Sequence, residues 1–418
     1  MNTLKEVAEQ FPALFAPCWT TDLTCGSGWS TLAGDACNQL DALHHRDNPG
    51  LRVHHISRNF GGLRLWAEPA TAEVRNIKDR AERLSRYSCE YCHRPGAFGE
   101  HRFGAWLTLC PDCADRELGP CERSAPMPSH VIPYDSGLVA LIGDFHYDSH
   151  VRAGLDPIEA GGLAGLPWTR LDALIVTGDL ANAPYGNWRP ALGQLSRWID
   201  PSQIFLLPGN HDYYNFGIDG DGDLRRLAAA EGVHFLQKTE LVHGASRFLC
   251  VTLWTDFDLL GDPETAMREA ERRMRDYGQI SMPDPKQATL LPEFQASRRR
   301  VSLTPEVVLQ LHHNHRHWLE DRLATPFDGR TVVVTHHCPH PAATGPVDSL
   351  TPAFCSNLED LILQFQPSNW FFGHTHRRLT AIVGQTKVIN TSIGYAWESR
   401  LTGETPLSQL CLLEPRDE

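Results

Sequence analysis

From about residue 137 onward, unbroken apolar runs of roughly five to eight residues recur along the chain. They are "GLVALIGDFH", "ALIVTGDL", "QIFLLPGN", "FLCVTLW", "TVVVTHH", "NWFFGHTH" and "TKVINTSI". Between several of them lie patterns of helical period: "RPALGQLSRWI", "DLRRLAAAEG" and "TPEVVLQLHHNHRHWLEDRLA". A strand with one wet face alternates apolar and polar residues, whereas a strand covered on both faces reads as a continuous apolar run. The pattern therefore predicts a layered α/β domain.

Before residue 137 the texture differs. The segments there are shorter and less regular, and eight of the twelve cysteines fall among them. The stretch "CERSAPMPSHVIPYDSG" is rich in Pro and Ser and reads as a boundary. The expected organisation is an amino-terminal α+β module over residues 1–135 and an α/β domain over 136–418. Within the second, residues 255–300 are long for a connection and read as a cap insertion. Its arginines (Arg272, Arg273, Arg275 and Arg298 to Arg300) could meet substrate phosphates, with an exposed mixed-charge helix as the plain alternative.

Composition places limits on this picture. With 418 residues, 41% hydrophobic and 21% charged, the chain has the make-up of a globular protein with a sizeable core. No apolar run is long enough to cross a bilayer. The start, "MNTLKEVAEQFPALF", has acidic residues where a secretory signal needs basic and then apolar ones. A cytoplasmic location with no membrane partner is expected. The formal charge of −13 argues against a protein that coats nucleic acid through phosphate contacts alone.

The chemistry lies where the runs end. Asp144 and His146 close the first run and Asp179 the second, while Asn210, His211 and Asp212 close the third. His336 and His337 close a later run, and His374 and His376 the next. In open α/β sheets ligands bind at that carboxyl edge. Residues i and i+2 of a strand share a face, so Asp144 and His146 can point together, as can His374 and His376. Two aspartates, an asparagine and four histidines are too many ligands for one tetrahedral zinc, but suit two metals sharing a carboxylate. Such pairs serve in-line displacement at phosphorus. An imidazole beside them suits protonation of the leaving oxygen near neutral pH.

The set "DFH", "TGD", "GNHD", "THH" and "GHTH", in that order over roughly residues 137–400, resembles the calcineurin-like metallophosphoesterase family. The resemblance implies a two-sheet sandwich flanked by helices, with the metals at one edge. It implies Asp144, His146 and His376 on one divalent metal (manganese, iron or zinc) and Asn210, His336 and His374 on the other. Asp179 would bridge, and water between the metals would be the nucleophile. His211 would be the general acid, oriented by Asp212. In "THH", His336 is preferred over His337 because it directly follows the strand. A phosphoester is the implied substrate, a diester ahead of a monoester.

Two other tracts invite metal readings. "GIDGDGD" lacks the glycine and glutamate of a calcium loop, since Leu224 and Ala230 stand there; a flexible acidic loop is expected instead. "HHNHRH" lies within a helical pattern, so a solvated helix face is expected. The amino-terminal spacing Cys89-x2-Cys92 and Cys110-x2-Cys113 reads as one closed tetrahedral zinc site of ribbon or treble-clef type. The surrounding "ISRNFGGLRLW … AERLSRYSCEYC … GAWLTLCPDC" resembles small uncharacterised bacterial and phage proteins. Such a module could bind a partner protein or a nucleic acid. Two rival readings follow: a nuclease with the zinc module as its grip, and an interaction protein whose zinc module is the working surface.

Overall fold

The computed structural model describes residues 4–21, 27–59, 62–85, 87–101, 105–110, 113, 129–283, 299–398 and 404–415. The chain divides into two compact units, residues 1–125 with 285–297 and residues 126–284 with 298–418.

The first unit contains strands β1 (Phe15–Thr21), β2 (Arg52–Asn59) and β3 (Gly62–Glu68) in one sheet, with helices α1 (Leu4–Gln10), α2 (Ser30–Arg46) and α3 (Ala72–Ser85). Along β3, Leu63, Leu65 and Ala67 are buried while Arg64, Trp66 and Glu68 are exposed. That alternation marks a sheet with one wet face. The covered side joins Trp29, Leu40, Leu51, Ile56 and Val74 in a core of its own. An antiparallel hairpin, β4 (Ala97–His101) and β5 (Ala105–Leu109), follows.

In the second unit the strands begin with β6 (Ser129–Val131), β7 (Val139–Ile142), β8 (Ala173–Val176), β9 (Ile204–Leu206) and β10 (Phe216–Gly217). They continue with β11 (His234–Phe235), β12 (Thr239–His243), β13 (Ser246–Val251), β14 (Ile280–Pro283) and β15 (Arg300–Ser302). The remainder are β16 (Arg330–Thr335), β17 (Asn369–Phe372), β18 (Thr380–Val383), β19 (Thr386–Asn390) and β20 (Leu412–Leu413). Two large sheets result, ordered β11-β9-β8-β7-β20 and β18-β19-β17-β16-β13-β12-β6. Their central strands run parallel. A smaller sheet, β10-β14-β15, stands apart.

Alternate residues of both large sheets, among them Val139, Leu141, Ala173, Ile175, Phe248, Val332, Val334 and Phe371, meet in one core. The opposite residues Leu249, Val251, Val333, Trp370 and Phe372 pack with Trp318, Leu319 and Leu323 of one helix and Leu361 and Ile362 of another. This is why the runs are unbroken: each strand has an apolar partner on both faces. The expected two-sheet sandwich flanked by helices is the observed fold.

Seven helices of this unit matter below: α4 (Tyr147–Arg152), α5 (Pro184–Leu195), α6 (Asp221–Ala230), α7 (Pro263–Arg273), α8 (Asp276–Gln279), α9 (Pro305–Ala324) and α10 (Glu359–Phe365). Two expectations are corrected here. The "HHNHRH" tract is no solvated face, since His312 and His315 are buried on the side of α9 that carries Trp318 and Leu319. "GIDGDGD" is no flexible loop: its second half opens α6. There Asp221 accepts from the Tyr213 hydroxyl, and Asp219 pairs with Arg300.

Candidate metal centre

Seven of the expected ligands converge at the carboxyl ends of β7, β8, β9, β16 and β17. Asp144, His146, Asp179 and His376 bring their donor atoms within 4.8 Å of one another, and so do Asp179, His336 and His374. Asp179 belongs to both groups. Asn210 joins the second through Oδ1, which lies 3.1 Å from His336 Nε2 and 3.0 Å from His374 Nδ1. His337 points elsewhere, donating from Nδ1 to the Thr252 carbonyl and packing on Trp254.

The way the chain brings Asp144 and His146 together differs from the sequence expectation. β7 ends at Ile142, so strand alternation does not orient them. Instead Asp144, His146, Asp179, His374 and His376 all adopt positive φ, from 39° to 64°. Such backbone is uncommon outside glycine, though Asp and His enter it more readily than most, and it collects at functional sites. Crossing hydrogen bonds hold it: Asp144 N donates to Gly178 O, His146 N to Asp179 O, and His374 N to the Asp144 carboxylate. Gly209 leaves the space, because a Cβ there would lie 2.2 Å from Asp179 Oδ1.

A layer of hydrogen bonds outside the cluster fixes which atoms face inward. His336 Nδ1 donates to the Thr177 carbonyl at 3.0 Å, and His376 Nδ1 donates to Glu398 at 2.9 Å. Each ring therefore turns an unprotonated Nε2 toward the cluster when neutral. Asn210 Nδ2 donates to buried Asp276 at 2.9 Å, which turns the amide oxygen inward. The electrostatics also favour positive charge. Burial raises Asp179 well above the ordinary carboxylate range, and the charges of Asp144 and Asp212 add to it. At His376 burial opposes charge, yet hydrogen bonds to Asp144 and Glu398 raise the imidazole to about 10. Inward lone pairs around crowded carboxylates are what divalent cations require, and the donor set fits two of them.

His211 stands beside the cluster. Its Nδ1 donates to Asn182 Oδ1 at 2.8 Å, and Asn182 is itself oriented by Asp148. Its Nε2 accepts from the Tyr395 hydroxyl at 3.0 Å, and its ring stacks on Tyr214. Burial, and then the charges of His376 and His336, depress it to about 3. Asp212 is corrected: it does not orient His211. Its buried carboxylate accepts from the backbone N–H groups of Asp179, Leu180, Ala181 and Gly209 and from Trp188 Nε1 of α5. It shapes the two loops that carry Asp179 and Asn210, and Asn182 holds the imidazole.

Sequence reading missed Asn182, Asp276, Tyr395 and Glu398. Asp276 lies within the 255–300 segment. Arg272 and Arg273 of α7 pair with Glu269, as an exposed mixed-charge helix does. Arg300 is held by Asp219, and Arg298 lies outside the described residues. Arg275 is exposed, pairs with no carboxylate among the described residues, and acts electrostatically on both His211 and Tyr395.

In the first unit, Cys89, Cys92, Cys110 and Cys113 bring their sulfurs within 4.8 Å of one another around the β4–β5 hairpin. Arg94 Nε donates to Cys92 Sγ, and that contact first of all pulls this thiol down to about 6. Four convergent sulfurs fit one tetrahedral metal.

Sandwich and cluster together are those of a metal-dependent phosphoesterase, a hydrolase of ester bonds. The family model of the calcineurin-like phosphoesterases matches residues 137–378, more than half of the chain, and the chain belongs to that family. A search of curated proteins finds no match. Among solved structures, the chain is similar to a phosphopantetheinyl hydrolase from Mycobacterium tuberculosis, 17% identical over 62% of this chain and 90% of that one, with a TM-score of 0.44. It is also similar to a purple acid phosphatase from yellow lupin, 12% identical over 68% of this chain and 48% of that one, with a TM-score of 0.37. Among the described residues, no helix is long and apolar enough to cross a membrane.

Proposed function

We propose that the chain hydrolyses phosphodiesters at a two-metal centre, with His211 as the proton donor to the leaving oxygen. The observation that carries this reading is the sharing of Asp179 between two ligand groups. Asp144, His146 and His376 would hold one cation and Asn210, His336 and His374 the other, with Asp179 between them. Bound there, two divalent cations supply charge neutralisation for the phosphoryl oxygens and a more acidic water for the attack. Manganese, iron and zinc all suit these mixed nitrogen and oxygen donors. The four cysteines hold a structural zinc.

The protein's own groups do the rest. Asn182 accepts the Nδ1 proton of His211, so Nε2 is the atom that faces the leaving oxygen, and it donates once the substrate's negative phosphate has drawn a second proton onto the ring. The Tyr395 hydroxyl on Nε2 yields its place to the leaving oxygen. Asp276 and Glu398 keep Asn210 and His376 aimed inward. Arg275, exposed beside this group, meets a non-reacting phosphate oxygen. The preference for diesters follows the complete GNHD and GHTH set by analogy.

The test is hydrolysis of bis(4-nitrophenyl) phosphate by manganese-loaded protein and by its His211→Ala variant. Loss of the acid lowers turnover roughly 10²- to 10⁴-fold at unchanged metal content. A variant as active as the parent contradicts the assignment.

A further inference from the structure

The segment after β19 carries two aromatic rings into the site. Ile393 N and Gly394 N donate to the carbonyls of Gly143 and Asp144, which lays the segment along the end of β7. Gly394 has φ +86°, and a Cβ there would lie 2.5 Å from Glu398 Oε2. Glu398 accepts at once from Tyr395 N and from His376 Nδ1, so the turn is tied to a cluster histidine. The Tyr395 ring stacks on His146 at 4.0 Å and on Trp397 at 4.5 Å, the latter with the planes 8° apart. Two near-parallel neighbours at these separations occupy opposite faces of one ring. The outer face of the stack is Trp397, and it is 68% exposed.

An exposed indole that stabilises no core, fixed one ring away from the proposed proton donor, calls for a flat partner. Resting on the phosphodiesterase reading, we propose that Trp397 is a stacking shelf for a nucleobase, and that the substrates are nucleotide phosphoesters. A nucleoside phosphate places its base and its phosphate at opposite ends of a sugar. With the phosphoryl group at the cluster and Arg275 on its oxygens, the base lies on Trp397. Stacking on a single aromatic face accepts any base, so the shelf selects the class of substrate and not its sequence.

The test is calorimetric titration of the manganese-loaded protein with adenosine 5′-monophosphate and with ribose 5-phosphate, which lacks only the base. The base tightens binding roughly 5- to 100-fold. Trp397→Ala removes that advantage and leaves ribose 5-phosphate unchanged, while Trp397→Phe keeps most of it. Trp397 is exposed, so neither substitution disturbs folding. Equal affinity for the two ligands, or an advantage that survives in Trp397→Ala, overturns the proposal. Binding of neither ligand overturns it too, and turnover of bis(4-nitrophenyl) phosphate then decides whether the phosphodiesterase reading falls with it.

Discussion

Asn182 and Asp212 exchange the parts that proximity in sequence suggests. A carboxylate next to an imidazole in the chain invites the inference that it orients the ring. Here the carboxylate collects four backbone donors and an indole, and an asparagine 29 residues away holds the imidazole. The two substitutions should therefore separate. Asn182→Ala lowers kcat roughly 10- to 100-fold, as loss of an orienting partner does, with KM and metal content close to the parent's. Asp212→Asn loosens two loops and costs about 3 kcal/mol of folding stability, because several charge-assisted hydrogen bonds weaken together. Steady-state kinetics beside a denaturant titration tells them apart. Reduced kcat in Asp212→Asn at full stability contradicts this division of roles.

Among the elements, Asp172 does for the sheet what Asp212 does for the loops. It precedes β8 and accepts from the backbone N–H groups of Asp135, Ser136 and Gly137 and from His243 at the end of β12. It thereby joins the entry of β7 to both large sheets. Burial works to raise its carboxyl, and the bonds from Ser136, His243, Asp135 and Gly137 overcome it, so the group falls from 3.8 to about 2. A carboxyl whose folded value lies below its unfolded one stabilises the fold above the unfolded value, and that stabilisation disappears as pH falls through the folded value. Asp172→Asn should cost about 1–3 kcal/mol near neutral pH. Its deficit against the parent should shrink as pH falls from 4 toward 2. A deficit that holds constant across that range contradicts the role.

The strands and their polar ends were legible in the chain because burial on both faces writes an unbroken apolar run, and ligands at strand ends interrupt it with Asp, Asn or His. The left-handed backbone at Asp144 and His146 was not legible, since a chain leaving a strand can turn either way and only the crossing bonds from the neighbouring loops decide. Tyr395, Glu398 and Asp276 were hidden for a related reason. Each acts through a contact distant in sequence, and none stands in a motif whose spacing carries chemistry. His312 and His315 misled because a histidine-rich helix looks polar, and only packing reveals which of its faces the sheet covers.

For the whole molecule, the formal charge is −13, and the centre gathers carboxylates of its own. Asp144, Asp179 and Glu398 crowd one cleft, and burial with mutual repulsion raises Asp179 far above its ordinary range. Cations relieve that repulsion, so metal binding and stability are linked. The first unit has its own core and its own cluster of four cysteines, in keeping with a separate structural metal. In the second unit both sheets deliver candidate ligands, and one carboxylate is common to the two groups. Metal content and turnover should therefore depend together on that carboxylate. The most direct measurement is metal analysis of the parent and Asp179→Asn proteins, paired with hydrolysis of bis(4-nitrophenyl) phosphate. The parent should hold two active-site cations and turn over the diester, while Asp179→Asn loses at least one cation and roughly 100-fold or more of the rate. Two cations and undiminished turnover in the variant would contradict a centre built on a shared Asp179.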